Sequence, residues 1–231
     1  MVAFGAPGSL DSRDSENSEG RGASQRGEPG LDLEELPGAR REVEHIASLF
    51  PGSRAFVGDQ VTEDRVLALP SRVGVLHFAT HVRLDEQFPL DSALVLSILR
   101  EREQGRANGL LQVWEIFEKV RVQAEIVVLS ACESGLGREV PGEGLISLNR
   151  AFHFAGARSV LASLWPVADE STEELMARFY QHLRSGWPKN EALRAAQLEL
   201  LRGKGGEGFV APFNWGAFQL SGDGGGERLV P

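Results

Sequence analysis

The sequence predicts an α/β domain in which helices flank both faces of a mainly parallel sheet. Two observations predict this class. Extended segments alternate along the chain with segments whose apolar residues recur at helical spacing. The strands predicted at residues 74–79 and 125–130 are apolar almost throughout, as in parallel strands that are covered on both faces.

The first half of the chain predicts four strands and two helices. Residues 2–5 predict a short strand, and residues 8–30 are so rich in Ser, Gly and charge that they predict disorder. From Leu36, apolar residues at helical spacing predict a helix that ends at Pro51-Gly52. The further elements are a strand at 54–57, a helix from Thr62 to Leu69, and strands at 74–79 and 93–96.

The second half of the chain continues the alternation. A capping box of Ser171 and Glu174 predicts the start of a helix that runs to His182. The other predicted elements are helices at 115–120, 142–155 and 189–201, and strands at 125–130, 159–164 and 215–220.

Composition restricts the classes of function. With 231 residues the chain fits one domain, and its net charge of −9 argues against nucleic acid and anionic membranes as partners. The single cysteine rules out an internal disulfide and a cysteine-rich zinc site. No signal peptide or membrane-length apolar run is evident, so we expect a cytoplasmic protein without a cofactor or metal.

Two reactive side chains follow buried strands. His81 comes after the strand at 74–79, and Cys132 comes after the strand at 125–130. Because parallel strands end at the same edge of a sheet, we expect both side chains to lie at that edge. A thiol beside an imidazole is the arrangement that cysteine nucleophiles require. His77 lies four residues before His81, so we expect the two histidines on the same face of one strand. A zinc site would need a third ligand that is not evident, and we interpret His77 as a buried, hydrogen-bonded histidine.

The ordered part of the chain resembles the CHAT family, the caspase-like peptidase domains found with tetratricopeptide repeats. Matching blocks occur in one order along the chain: LPGARREVE at 36–44, LHFATH at 76–81, LSACESG at 129–135, GEGL at 142–145, AGARSV at 155–160, LWPVAD at 164–169, FY at 179–180 and FNWGAF at 213–218. On this basis we divide the chain into residues 1–7 as the first strand of the sheet, 8–30 as an insert, 31–223 as the peptidase domain and 224–231 as a flexible tail.

The resemblance implies a caspase-hemoglobinase fold and cleavage of peptide bonds by a Cys132–His81 dyad. It also implies an oxyanion hole formed by the backbone N–H groups of Cys132 and Val82. The family usually has Gly where this chain has Val82, and a β-branched residue resists the unusual backbone angles that Gly permits.

Five residues are candidates for binding the substrate. By similarity to caspases, Ser163 and Trp165 would lie beside the substrate, although Trp165 is equally consistent with a core or turn position. An acidic side chain could select a basic residue before the cleaved bond, and the candidates are Asp169, Glu133 and Asp85. A carboxylate that begins a helix is the stronger interpretation of Asp169.

Three functions remain open at this point. The leading one is a cysteine endopeptidase that acts on a specific protein substrate. The second is a catalytically silent domain of the same fold that binds a partner or serves as a scaffold. The third, a nucleotide-binding domain, lacks a P-loop and a Gly-x-Gly-x-x-Gly motif. A tetratricopeptide-repeat or other activating partner fits the first two functions. Both a monomer and a homodimer formed through the last strand agree with the sequence.

Overall fold

The structure is a computed structural model that describes residues 1–7, 36–97, 108–130, 132–133, 143–165 and 167–225. For Cys132, Glu133 and Glu143 it describes the backbone. The insert predicted at 8–30 and most of the tail predicted at 224–231 lie outside the described residues.

The described part of the chain contains ten strands and six α-helices, together with short 3-10 turns. The strands are β1 (Val2–Pro7), β2 (Arg54–Gly58), β3 (Arg72–Ala79), β4 (His81–Arg83), β5 (Ala93–Val95), β6 (Leu110–Gln112), β7 (Gln123–Leu129), β8 (Cys132–Glu133), β9 (Ser159–Ser163) and β10 (Phe218–Gly222). The helices are α1 (Pro37–Ser48), α2 (Glu63–Leu67), α3 (Val113–Lys119), α4 (Glu143–Ala155), α5 (Asp169–Arg184) and α6 (Lys189–Leu201). Among the described helices, none combines the length and apolar character needed to cross a bilayer.

The main sheet has six strands in the order β10-β9-β7-β3-β1-β2. All neighbouring strands are parallel except β10, which runs antiparallel to β9. This arrangement confirms the predicted α/β class with a mainly parallel sheet.

Both faces of the main sheet are covered by helices, as predicted. On one face, Leu76 and Phe78 of β3 belong to the same buried cluster as Phe152 of α4. On the other face, Val75 belongs to the cluster that contains Val43 of α1, as well as residues of α5 and α6. Successive residues of β3 therefore point to opposite layers, which explains why the strand is apolar nearly throughout.

The capping box predicted at Ser171 is wrong. Helix α5 begins at Asp169, so Ser171 lies inside its first turn and donates its hydroxyl to the Ala168 carbonyl (2.9 Å). A capping box occurs instead at α3, where the Gln112 N–H donates to Glu115 Oε2 (3.1 Å). Acidic residues at the start of α5 favour the earlier helix start through the helix dipole.

The strand predicted at 215–220 begins later than expected. Trp215 and Gly216 continue the turn after Pro212, whose carbonyl accepts both of their N–H groups (3.3 and 2.7 Å). The Trp215 indole N–H donates to the Val210 carbonyl (3.1 Å), which holds the ring outside the sheet. The strand therefore starts at Phe218.

A second sheet of four short strands was not predicted. Its order is β6-β5-β4-β8, and it continues from the carboxyl ends of β3 and β7. Of its strands, β5 matches the strand predicted at 93–96, whereas β4, β6 and β8 have two or three residues each and show no hydrophobic pattern that could be recognised.

Candidate active site

The two predicted catalytic residues lie on paired strands of the second sheet. In the main sheet, Phe78 of β3 is opposite Leu129 of β7. Each chain then continues beyond the sheet edge, and β4 pairs with β8 in parallel, with His81 opposite Cys132. Paired parallel strands lie about 4.8 Å apart, so the two backbones are neighbours. The His81 side chain is buried (5% exposed).

The direction of the peptide groups in β4 follows from the ladder on the far side of β5. The Leu96 N–H donates to the Gly109 carbonyl (2.6 Å), and the Val113 N–H donates to the Ser92 carbonyl (2.8 Å). Residues 92, 94 and 96 therefore turn their backbone polar groups toward β6. Because the backbone polar groups of successive residues point to alternate sides of a strand, the N–H and C=O of Ala93 point toward β4.

Val82 consequently turns its backbone polar groups toward β8. Ala93 pairs with Arg83, so the backbone N–H and C=O of Arg83 face β5. Because these groups alternate along a strand, the N–H and C=O of Val82 face β8 on the other side of β4. In the parallel pairing of β4 with β8, the Val82 N–H then lies opposite the Cys132 carbonyl. By the same pairing, the Cys132 N–H lies opposite the Thr80 carbonyl. An oxyanion formed on a substrate would therefore compete with the Cys132 and Thr80 carbonyls for the N–H groups of Val82 and Cys132.

The replacement of Gly by Val82 introduces no backbone strain. Val82 lies within β4, and its side chain is 5% exposed and packs in the hydrophobic core. Among the described non-glycine residues, only Ala6 has a positive φ. A β-branched side chain suits an extended, buried position of this kind.

Ser163 and Trp165 lie at the edge of the main sheet from which the chain continues to His81 and Cys132. Ser163 is the last residue of β9, which runs parallel to β7. The Trp165 indole N–H donates to the Phe213 carbonyl (3.0 Å), and the two rings lie 6.3 Å apart. Phe213 and Leu164 are 59% and 45% exposed, so Trp165 belongs to an apolar surface at this edge. We call Leu164, Trp165 and Phe213 the rim surface.

Asp169 is engaged in holding two helices together. Its carboxylate accepts the N–H of Gly38 in the first turn of α1. A Cβ atom at Gly38 would overlap this carboxylate, so the contact requires glycine. The first N–H groups of a helix lack intrahelical acceptors, and a carboxylate there is favourable. The structure thus favours the structural interpretation of Asp169 over selection of a basic substrate.

The remaining acidic candidates differ in their surroundings. Asp85 Oδ1 accepts the N–H groups of Gln87 (3.0 Å) and Phe88 (2.7 Å), so its carboxylate stabilises the turn after β4. Glu133 follows Cys132 in β8, and its backbone pairs with Val82. Of the three acidic candidates, Glu133 is the one adjacent to Cys132 in the chain and paired with the strand of His81.

His77 is buried and hydrogen-bonded, as predicted. Its Nδ1 atom lies 3.0 Å from the Tyr180 hydroxyl, and its Nε2 atom lies 2.8 Å from Glu42 Oε1. Burial, and secondly the Glu42 carboxylate, raise the pKa of Tyr180 well above its usual value, so the phenol stays protonated. His77 belongs to the main sheet, whereas His81 lies beyond a bend at Thr80 in the second sheet. The two histidines therefore do not share one strand, contrary to the sequence-based expectation.

Comparison with known families agrees with this architecture. The sequence model of the CHAT domain matches residues 8–223. The chain belongs to the CHAT family.

Relatives of this CHAT domain include two mammalian proteins. Tetratricopeptide repeat protein 28 of Mus musculus is 30% identical over 219 residues, which cover 81% of this chain and 8% of that protein. The Homo sapiens protein of the same name is 26% identical over 218 residues, with the same coverage. The chain thus spans about a twelfth of the length of these relatives.

Solved structures share the fold at low sequence identity. The complex of the pro- and mature domains of RgpB from Porphyromonas gingivalis superposes with a TM-score of 0.52 and 11% identity. The match covers 97% of this chain and 47% of that chain. The CHAT domain therefore has the caspase-like α/β fold of RgpB.

Proposed function

We propose that this CHAT domain is a cysteine endopeptidase of caspase-like type. The observation that supports the proposal best is the pairing of β4 with β8, which sets His81 opposite Cys132 on adjacent strands. In the chain's described part, β4 and β8 follow the adjacent parallel strands β3 and β7. The carboxyl edge of such a sheet is where α/β proteins bind ligands.

The proposed reaction has two steps. His81 takes the proton of the Cys132 thiol, and the thiolate attacks the scissile carbonyl and forms a C–S bond. His81 then gives this proton to the leaving amine as the C–N bond breaks. Water then attacks the thioester, which releases the acid and returns the thiol. The negative oxygen of each tetrahedral intermediate accepts hydrogen bonds from the Val82 and Cys132 N–H groups, which takes the place of their strand pairing.

We propose that the rim surface binds the substrate chain. Ser163 ends β9 at this edge, so an extended peptide could add alongside the strand end. Leu164 and Phe213 offer exposed apolar contacts next to the Trp165 ring. Among the acidic candidates, Glu133 is the one we propose for a basic side chain, because the carboxylates of Asp85 and Asp169 already accept backbone hydrogen bonds.

One observation favours a second function, that of a partner-binding domain without activity. The Val82 and Cys132 N–H groups both lie opposite backbone carbonyls, so the oxyanion hole is occupied in the free protein. Under this second function, the pairing keeps the domain inactive until β8 moves relative to β4. A tetratricopeptide-repeat segment is the natural candidate for an activator, because the relatives carry that name.

Partners and location follow from the same features. β10 forms one edge of the main sheet, so a second copy could extend the sheet there. Sedimentation velocity separates such a homodimer from a monomer. A single cysteine forms no internal disulfide, which agrees with a reducing compartment, and we propose the cytoplasm.

The peptidase proposal is tested with a peptide library derived from a whole proteome. The chain is incubated with the library, alone and with a tetratricopeptide-repeat segment of a relative, and new peptide ends are identified by mass spectrometry. We expect new ends that are absent with Cys132→Ala and with His81→Ala. No difference between the wild type and these variants, with or without the repeat segment, would favour the partner-binding domain.

A further inference from the structure

The peptide group between His81 and Val82 is held by a buried hydroxyl. Thr80 is fully buried, and its Oγ1 atom donates a hydrogen bond to the His81 carbonyl (3.2 Å). Nothing in the sequence pointed to this role, because Thr80 is a single polar residue between the strand and His81. A buried hydroxyl that donates its hydrogen bond to a backbone carbonyl restrains the direction of that carbonyl.

The direction of this carbonyl also sets the direction of the Val82 N–H. A peptide unit is planar and trans, so its C=O and N–H point in opposite directions. The polar groups of β4 alternate, with those of Arg83 facing β5 and those of Val82 facing β8. The His81 carbonyl therefore points toward β5, and the N–H of the same peptide points toward the strand that carries Cys132.

We infer that Thr80 is a positioning residue for the oxyanion hole. Its hydroxyl stops the His81–Val82 peptide from tilting and so keeps the Val82 N–H directed at the carbonyl oxygen of a group bonded to Cys132. This inference rests on the proposed function, because it assigns a helper to the same site. Thr80 acts through the peptide and does not touch the reacting atoms.

The size of the effect follows from what an oxyanion donor contributes. Loss of one such donor slows acyl transfer by about 100- to 1,000-fold. A tilted donor is weakened rather than lost, so we expect removal of the Thr80 hydroxyl to slow acylation about 10-fold. Reactions of Cys132 that form no oxyanion should keep their rates.

Two small probes separate these effects, and Cys132 is the only thiol in the chain. With p-nitrophenyl acetate, the thiolate attacks the carbonyl, an oxyanion forms and collapses, and p-nitrophenolate leaves behind an acetyl thioester. With iodoacetamide, the thiolate displaces iodide from a saturated carbon and no oxyanion forms. Cys132→Ala gives the background for both probes.

The test compares Thr80→Val, which removes the hydroxyl at nearly constant shape, with Thr80→Ser, which keeps it. We expect Thr80→Val to lower the acylation rate about 10-fold and to leave the iodoacetamide rate within about twofold of wild type. Thr80→Ser should restore acylation. Thr80→Ala provides a second variant without the hydroxyl, and should show the same selective loss if Thr80→Val disturbs packing.

Two outcomes would overturn the inference alone. These are an acylation rate in Thr80→Val equal to that of wild type, and a parallel loss of both rates in both variants that lack the hydroxyl. Failure of the proposed function has a different signature. The wild type would then react with both probes no faster than a free thiol, and His81→Ala would change neither rate, which would overturn the proposed function and the role of Thr80 together.

Discussion

At the scale of residues, Val82 shows how a departure from a family pattern can be explained by packing. The sequence suggested that a β-branched residue would resist the backbone angles needed here. The structure places Val82 in an extended strand with its side chain in the core, where a β-branched residue is favoured. Its N–H is independent of the side chain and still faces the strand of Cys132.

We expect Val82→Gly to destabilise the protein without improving the site. Loss of a buried valine side chain and the added chain entropy of glycine should lower the free energy of unfolding by about 2–4 kcal/mol. Urea unfolding measures this change, and Val82→Ile serves as a control that keeps the branched side chain. A Val82→Gly protein as stable as wild type and acylated faster would contradict this account.

The buried contact of His77 with Tyr180 leads to a second prediction at this scale. Tyr180→Phe removes the hydroxyl 3.0 Å from His77 Nδ1 and leaves a buried polar atom without that partner. The expected loss is about 1–3 kcal/mol of unfolding free energy. The loss should shrink when His77 is first replaced by Leu, and an equal loss in both backgrounds would show that the two side chains are not coupled.

At the scale of elements, the longer helices and strands could be predicted, whereas of the strands with two or three residues only β5 was predicted. Helices α1 and α6 and strands β3 and β7 have enough residues for their apolar pattern to be recognised. Strands β4 and β8 have three and two residues, and their pairing depends on distant parts of the chain. The sequence therefore predicted that His81 and Cys132 meet at one edge, but not that they pair in a separate sheet.

The pairing of β4 with β8 predicts slow hydrogen exchange at one amide. If the Val82 N–H lies against the Cys132 carbonyl, its exchange should be strongly protected in the free protein. Exchange measured by NMR tests this, with the N–H of Gln87 in the exposed turn as a comparison. Exchange of Val82 as fast as in an unfolded chain would contradict the pairing.

Helix α2 carries a buried carboxylate that makes stability depend on pH. Burial, and secondly the nearby Glu115, raise the pKa of Glu63 above its ordinary value, although its Oε1 accepts the Gly109 N–H (2.7 Å). The folded state therefore binds this proton more tightly than the unfolded state, so stability contributed by Glu63 falls as the pH rises through the raised pKa.

We expect Glu63→Gln to be more stable than wild type near pH 7, because Gln keeps an acceptor for Gly109 without the buried charge. The difference should disappear as the pH falls below the raised pKa of Glu63, where the wild-type side chain is neutral. Glu118→Gln, on the exposed face of α3, controls for the loss of one negative charge. A stability difference for Glu63→Gln that does not change with pH would contradict this assignment.

At the scale of the whole molecule, the main sheet brings together residues that are far apart in sequence. His81 and Cys132 could be predicted because each follows a recognisable buried strand. The hydrogen bond between Asp169 and Gly38 could not be predicted, because the two residues are 131 positions apart and no local sequence pattern specifies how their helices pack. Thr80 was missed for the same reason, because its importance depends on how β4 lies between β5 and β8.

Whether His81 and Cys132 act as a pair is tested by the pH dependence of Cys132 alkylation by iodoacetamide in wild type and His81→Ala. We expect the wild type to react readily below about pH 7, and the variant to require a pH near 8.5, as an ordinary thiol does. Identical profiles near pH 8.5 in both proteins would show that His81 and Cys132 do not act as a pair.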